Sequence, residues 1–372
     1  MRPAFALSAA VGVLLAGCRP GTDEPAPPVA GARSGPLPTA SASEPLPPST
    51  PTPSPRPPTS APTRATLASR TFDLDDTARG DCALDPTGAV HCWSPTAPLV
   101  AIAGLNGADS LVATAHFTCA RTKAGVVQCW GRDPFRDERP RLGLFDAATT
   151  DVRPGRVRGL GDDVDALSAG GQQLCARRRR GALRCASEDS ASWVSAPDAL
   201  AGTQGGSFDC SLRVGGALTC AIGPGENDEK GFGRVSLPGA HTGLALMGWG
   251  VHGDGAIELC VLDAAAAVRC YDGRWDLARG VGRPIALPRP AVQLAAGMHH
   301  ACALLDDGSV QCWEGAIGRH DVPGPVGGLP EPAVEITVGD RHACARLASG
   351  RVACFGGAYT SAGAPPRVIL GG

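Results

Sequence analysis

The sequence predicts an all-β fold, a seven-bladed β-propeller with one hairpin disulfide within each blade. Three observations carry the prediction. A twelve-residue unit, clearest at Cys302–Trp313 as CALLDDGSVQCW, recurs seven times. Its copies begin 35 to 56 residues apart, and short apolar stretches precede most of them. The 372 residues include 50 glycines and 34 prolines but only 4% aromatics, a turn-rich composition. Four-stranded units of about this length, repeated seven times, describe propeller blades.

Each unit reads as a stapled hairpin. A three-residue loop such as Asp306-Asp307-Gly308 needs a positive φ at its last position, which glycine adopts freely. Glycine stands there in six copies, Gly88, Gly125, Gly181, Gly216, Gly308 and Gly350, and Ala266 in the seventh. With that loop the two cysteines face each other at a non-hydrogen-bonded pair, where Cα atoms approach to about 4.5 Å and a disulfide fits. The predicted bonds are Cys82–Cys92, Cys119–Cys129, Cys175–Cys185, Cys210–Cys220, Cys260–Cys270, Cys302–Cys312 and Cys344–Cys354. Alternation supports this register, since Val90, Val127, Leu183, Leu218, Val268, Val310 and Val352 all lie two residues before a second cysteine and share its face.

Two upstream apolar stretches complete each unit. Examples are Arg156-Val157 with Leu160 and then Val164–Leu167, or Val326 with Leu329 and then Val334–Val338. Added to the hairpin, they make four strands. The carboxyl-terminal Pro365–Leu370 has the same strand signature with no hairpin after it. It is expected to complete the sheet of the first blade and so close the ring.

Disulfides at this density need an oxidising compartment. Arg2 precedes an apolar run from Ala4 to Ala16, too short for an ordinary membrane span, as in an export signal. The run ends in Leu15-Ala16-Gly17-Cys18, which resembles the lipobox of bacterial lipoproteins. Cys18 is the one cysteine without a partner at the ten-residue spacing, and lipidation there would supply a stable anchor. Arg19 stands where an aspartate would suggest inner-membrane retention, so the resemblance favours the outer membrane. Fifteen prolines then fall between Arg19 and Thr63, a composition that cannot bury enough apolar surface to fold. The expected organisation is a lipoprotein signal peptide over 1–18, a Pro-rich disordered stalk over 19–63 and the propeller over 64–372.

Within the repeats, Trp130-Gly131-Arg132 through Leu142-Gly143, then Asp151–Pro154, Val157–Leu160 and Ser168-Ala169-Gly170, resemble one full repeat of the regulator of chromosome condensation type. Ala296–Leu304 looks like the start of another such repeat. The resemblance implies a seven-bladed propeller, in agreement with the count of hairpins. The added cysteine pairs resemble secreted bacterial versions.

No residue set announces chemistry. His116, His299-His300 and His342 lie just upstream of cysteines. Zinc pairs favour CxxC or HxxxH spacing, and these cysteines already have cross-strand partners, so no metal or cofactor is expected. The family pattern gives this histidine a packing role. Arg177–Arg180 reads as a solvated hairpin tip, and a net charge of −2 offers no electrostatic case for nucleic acid. Glu226–Glu229 lacks the spacing of a calcium loop. Gly202–Gly206 follows no strand-to-helix pattern and does not suggest a phosphate cradle. Neither G-x-S-x-G nor H-E-x-x-H occurs, and no catalytic residues are singled out.

The sequence therefore reads as a monomeric, non-enzymatic binding scaffold of the cell envelope, anchored through Cys18. A protein or glycan partner is expected to dock on variable inter-blade loops, of which Gly131–Gly155 and Ile222–Leu237 are the longest. Three alternatives stand beside it. One is an inhibitor of a cell-wall enzyme, marked by exposed aromatics among Phe135, Phe145, Trp249 and Trp275. The others are a nucleotide-exchange regulator as in the eukaryotic family, which export and disulfides oppose, and an envelope hydrolase.

Overall fold

A computed structural model describes residues 66–70, 80–131, 153–170, 173–179, 183–187, 190–196, 199–205, 208–222, 233–248, 258–316, 319–320, 322–357, 359–360 and 364–371. All of these residues fall within the compact unit Pro55–Gly372. The segments expected to be a signal peptide with Cys18 and a proline-rich stalk lie outside them.

The strands form seven antiparallel sheets in chain order. The first holds β1 (Leu67–Ser69), β2 (Asp81–Leu84), β3 (Val90–Trp93) and β4 (Val100–Ala101), and the second β5 (Ala108–Ala113), β6 (Phe117–Thr122), β7 (Val127–Gly131) and β8 (Gly155–Arg156). The third holds β9 (Val164–Gly170), β10 (Gln173–Arg178), β11 (Leu183–Ser187) and β12 (Ser190–Ala196), and the fourth β13 (Ala199–Gly205), β14 (Phe208–Arg213), β15 (Leu218–Ile222) and β16 (Gly233–Leu237). The fifth holds β17 (His241–Met247), β18 (Glu258–Asp263), β19 (Val268–Asp272) and β20 (Arg283–Ile285), with a short helix, α1 (Gly273–Arg279), between β19 and β20. In the sixth, β21 (Ala291–Ala296), β22 (His300–Leu305) and β23 (Val310–Ala316) are followed by β24 (Arg319–His320) and β25 (Gly324–Pro325), both paired with β23. The seventh holds β26 (Ala333–Val338), β27 (His342–Leu347), β28 (Val352–Gly356) and β29 (Arg367–Leu370). Each blade is a meander, and the first strands of neighbouring blades touch in a closed circle from β1 round to β26 and back to β1.

The second and third strands of every blade are the predicted stapled hairpin. All seven disulfides join cysteines directly opposite one another. Their Cα atoms are 4.0 to 4.1 Å apart, as expected at a non-hydrogen-bonded pair. In the sixth blade Leu305 N donates to Ser309 O and Gly308 N donates to Leu305 O. These two bonds define the type I turn with a left-handed third residue. Gly308 has φ 82°, and Ala266 adopts the same conformation at 64° despite its Cβ. The fifth hairpin is thus regular without its glycine.

The apolar residue two positions before each second cysteine is buried in all seven blades. The hydrophobic clusters lie between blades; one, for example, joins Leu304 and Val310 of the sixth to Ile336 and Ala345 of the seventh. Small side chains let adjacent sheets approach. Gly297 illustrates the limit, because a Cβ there would collide with the carbonyl oxygen of Gly339 in the next blade.

Two expectations require correction. The first apolar stretch upstream of a hairpin belongs to the preceding blade: Gly155–Arg156 pairs with β7 as the outer strand of the second blade, while Val164–Leu167 lies in the inner strand of the third. For the same reason the carboxyl-terminal strand completes the seventh blade. Arg367 lies opposite Cys354 in β28, and the first blade supplies all four of its own strands. No strand is exchanged at the seam between the seventh and first blades. Side chains bridge it instead. Glu335 of β26 accepts hydrogen bonds from the Thr66 and Leu67 backbone amides at 2.6 and 2.9 Å, and Arg346 of β27 donates to the carbonyls of Thr66 and Leu84 at 3.1 and 2.8 Å.

Candidate functional site

An antiparallel meander sends alternate connections to opposite ends of a blade. The stapled turns and the blade-to-blade connections therefore share one face of the ring, the turn face. The first-to-second and third-to-fourth connections share the other, the loop face. The stapled turns hardly vary in length from blade to blade. The segments joining strand ends at the loop face differ greatly: 94–99 in the first blade, 132–154 in the second, 223–232 in the fourth, α1 in the fifth and 357–366 in the seventh. The two long segments expected to be inter-blade loops run between β7 and β8 and between β15 and β16, so each lies within a single blade. Most of their residues, together with Phe135, Phe145, Trp249 and Glu226–Glu229, lie outside the described residues.

Helix α1 is the one helical departure among the described connections. Leu277 anchors it, fully buried against a cluster containing Leu212, Leu218 and Leu237 of the fourth blade. Trp275 is 49% exposed, with the Arg279 guanidinium 6.0 Å from its ring centroid. Trp275 is the one large aromatic among the exposed hydrophobic side chains whose burial is described. Beneath α1, Glu258 faces Asp272 across β18 and β19, and Arg283 Nη2 lies 2.7 Å from Glu258 Oε1. Burial pushes the Glu258 carboxyl up to about 7, Asp272 adds to the rise, and Arg283 opposes it.

A second polar group occupies the loop face at the seam of the seventh and first blades. His342 Nε2 lies 2.7 Å from Asp81 Oδ1, and the Tyr359 hydroxyl donates to the other oxygen of Asp81. Burial alone would raise the Asp81 carboxyl. The attraction and hydrogen bond of His342, with the bond from Tyr359, outweigh it and hold Asp81 below the ordinary carboxylate range. The Tyr359 hydroxyl is pushed up by burial and by Asp81. Neighbouring His300 is lowered to about 4, first by burial and then by the nearby His342. His299 Nε2 stands 3.3 Å from Asp340.

These groups do not form a metal centre. Two clusters contain enough donor atoms at short range, Asp81 with His342 and Cys344, and Glu258 with Cys260 and Cys270. In both the sulfur is tied in a disulfide, which removes the thiolate a metal would need. The arginine run also has a structural use. Arg177 Nε donates to Asp165 at 2.9 Å and Arg178 Nε to Asp163 at 2.6 Å, so two of its guanidinium groups are matched by aspartates on the inner-strand side.

The sequence pointed to the histidines and Trp275. It did not signal Asp81, Tyr359, Glu258 or Arg283. Asp81 and His342 are separated by nearly the whole propeller in sequence, and only closing the ring brings them together.

No protein-family model and no curated protein matches the chain. Solved structures do. Human WBSCR16, 14% identical, aligns with a TM-score of 0.55 over 74% of this chain and 84% of its own. The CRINKLY WD40 ectodomain of the Arabidopsis thaliana receptor kinase ACR4, 15% identical, aligns with a TM-score of 0.52 over 82% of this chain and 97% of its own. A looser alignment pairs the chain with Prp20p of Saccharomyces cerevisiae, 14% identical, at a TM-score of 0.41 over 79% of this chain and 75% of that one. At such identities the likeness is one of fold. The described architecture is the seven-bladed propeller that the repeat resemblance implies, with a disulfide in every blade. Disulfides in this number belong to an oxidising environment, and among the described residues no helix is long and apolar enough to cross a membrane.

Proposed function

We propose that the protein is a non-enzymatic docking scaffold of the cell envelope, held to the membrane by a lipid on Cys18 and presenting the propeller, as a monomer, on its proline-rich stalk. The observation that carries this reading is the contrast between the two faces: a uniform stapled frame on one, unequal connections on the other. Recognition concentrates on variable segments borne by a rigid scaffold, and the loop face has that arrangement. The partner is a protein or glycan of the envelope. Exposed Trp275 beside Arg279 supplies an amphipathic anchor of the kind enriched at binding hot spots.

The exposed tryptophan also supports a second reading, inhibition of a cell-wall enzyme, in which Trp275 would belong to an aromatic cluster inserted into the enzyme. Cross-linking capture on envelope fractions tests both. The native protein is compared with variants shortened at 132–152 or 223–232, with Trp275→Ala, and with turn-face substitutions at Asp306 and Ser349. Capture lost in the loop-face variants and kept in the turn-face variants is the expected result. Equal loss on both faces, or no specific capture, rejects the docking-face reading. Capture of a wall enzyme whose activity falls on binding selects the inhibitor.

A further inference from the structure

Glu258 opens β18 and Asp272 closes β19, and the register sets the two directly opposite at the loop-face end of the fifth blade. Like charges in that position repel. The Glu258 side chain is only 8% exposed, and the Arg283 guanidinium at the start of β20 is ion-paired to it. Two carboxyl groups facing each other at a buried position favour keeping one proton between them, because both cannot ionise without strong repulsion. Asp272 has a further position in the structure: it is the residue from which α1 starts, with extended backbone and no side-chain capping bond. The protonation state of the pair therefore bears directly on the base of the helix that carries Trp275.

We propose that Glu258 and Asp272 form a proton-sensitive latch for α1. With one proton shared, the ends of β18 and β19 are drawn together and the helix base is held. Loss of the proton sets two carboxylates against each other and loosens α1, displacing Trp275 from the loop face. The proposal rests on the reading of that face as the docking surface and makes docking stronger in mildly acidic conditions than in alkaline ones. Among the described residues, the charged groups acting on Glu258 are Asp272 from β19 and Arg283 from β20, while β17 places Met247 opposite it. The helix contributes Asp276 in its first turn and Arg279 in its last. Burial of Glu258, reinforced by Asp272, puts the transition near neutrality, at about 7.

Hydrogen exchange on the full chain, corrected for the intrinsic pH dependence of amide exchange, tests the latch without any partner. Protection over 273–282 is expected to fall at least about fivefold between pH 5.5 and 8.5, while 291–305 in the sixth blade stays level. Glu258→Gln, which keeps a neutral hydrogen-bonding group, is expected to remove the dependence and keep α1 protected. Asp272→Asn removes the repulsion from the other side and is expected to flatten the profile as well, so either variant suffices if the other does not fold. A level profile in the native chain, or a fall that persists in the variants, overturns the latch. Because no partner is present, that outcome would leave the docking-face reading standing, and failed capture would leave the exchange result intact.

Discussion

His342 Nε2 stands 2.7 Å from Asp81 Oδ1, and this contact ties the last blade of the ring to the first. A propeller that does not exchange a strand between its ends must hold that seam by side chains. Here the loop-face half of the clasp is Asp81 with His342 and Tyr359, and the turn-face half is Glu335 and Arg346 with Thr66, Leu67 and Leu84.

Replacing His342 by alanine strands a buried carboxylate. Breaking a buried pair from one side costs about 3–5 kcal/mol, and the remaining bond from Tyr359 places the expected loss near the lower end. Asp81→Asn keeps the shape without the charge and is expected to cost less. Urea unfolding at pH 7 measures both, and equal losses would contradict the buried-charge account. Because the folded-state pKa of Asp81 lies below its ordinary value, its contribution is complete above the ordinary carboxylate range and is lost only as pH falls through the lowered value.

His300 shapes the acid limb at milder pH. It stays neutral when folded down to about 4, whereas its ordinary value is 6.5. The unfolded chain therefore gains a proton first as pH falls through 6.5, and stability declines across the window down to about 4. Allowing for partial exposure, the loss is about 2 kcal/mol. His300→Gln is expected to flatten the slope of the urea midpoint between pH 7 and 4.5. An unchanged slope would exclude His300 as its source.

The hairpin turns give opposite expectations at equivalent positions. Ala266 adopts φ 64°, and Ala266→Gly is expected to stabilise the fifth hairpin by about 1 kcal/mol, because a left-handed residue with a Cβ costs about 1–2 kcal/mol and glycine's extra unfolded-state entropy offsets part of the gain. Gly308→Ala is expected to destabilise by more than that amount. Its Cβ would add the same strain and meet the Pro332 side chain at 2.5 Å. Thermal unfolding of the two single variants reads both signs.

The frame was legible because its causes are local. A ten-residue cysteine spacing, a glycine at the left-handed turn position and an apolar residue two before the second cysteine act within one hairpin, and each recurs seven times. The sequence therefore determined the staples, the number of blades and the need for an oxidising environment. The assignment of strands to blades was not local. Gly155–Arg156 and Arg367–Leu370 look alike as strand signatures wherever they pair, and only antiparallel continuation from β7 and β28 made them the outer strands of the second and seventh blades. The site depended on the same tertiary step. Asp81 meets His342 because the ring closes, and Glu258 meets Asp272 and Arg283 because three strands of one blade end together beneath α1. Repetition in the chain specified how each blade is built; pairing across the closed ring decided which unlike residues share its loop face.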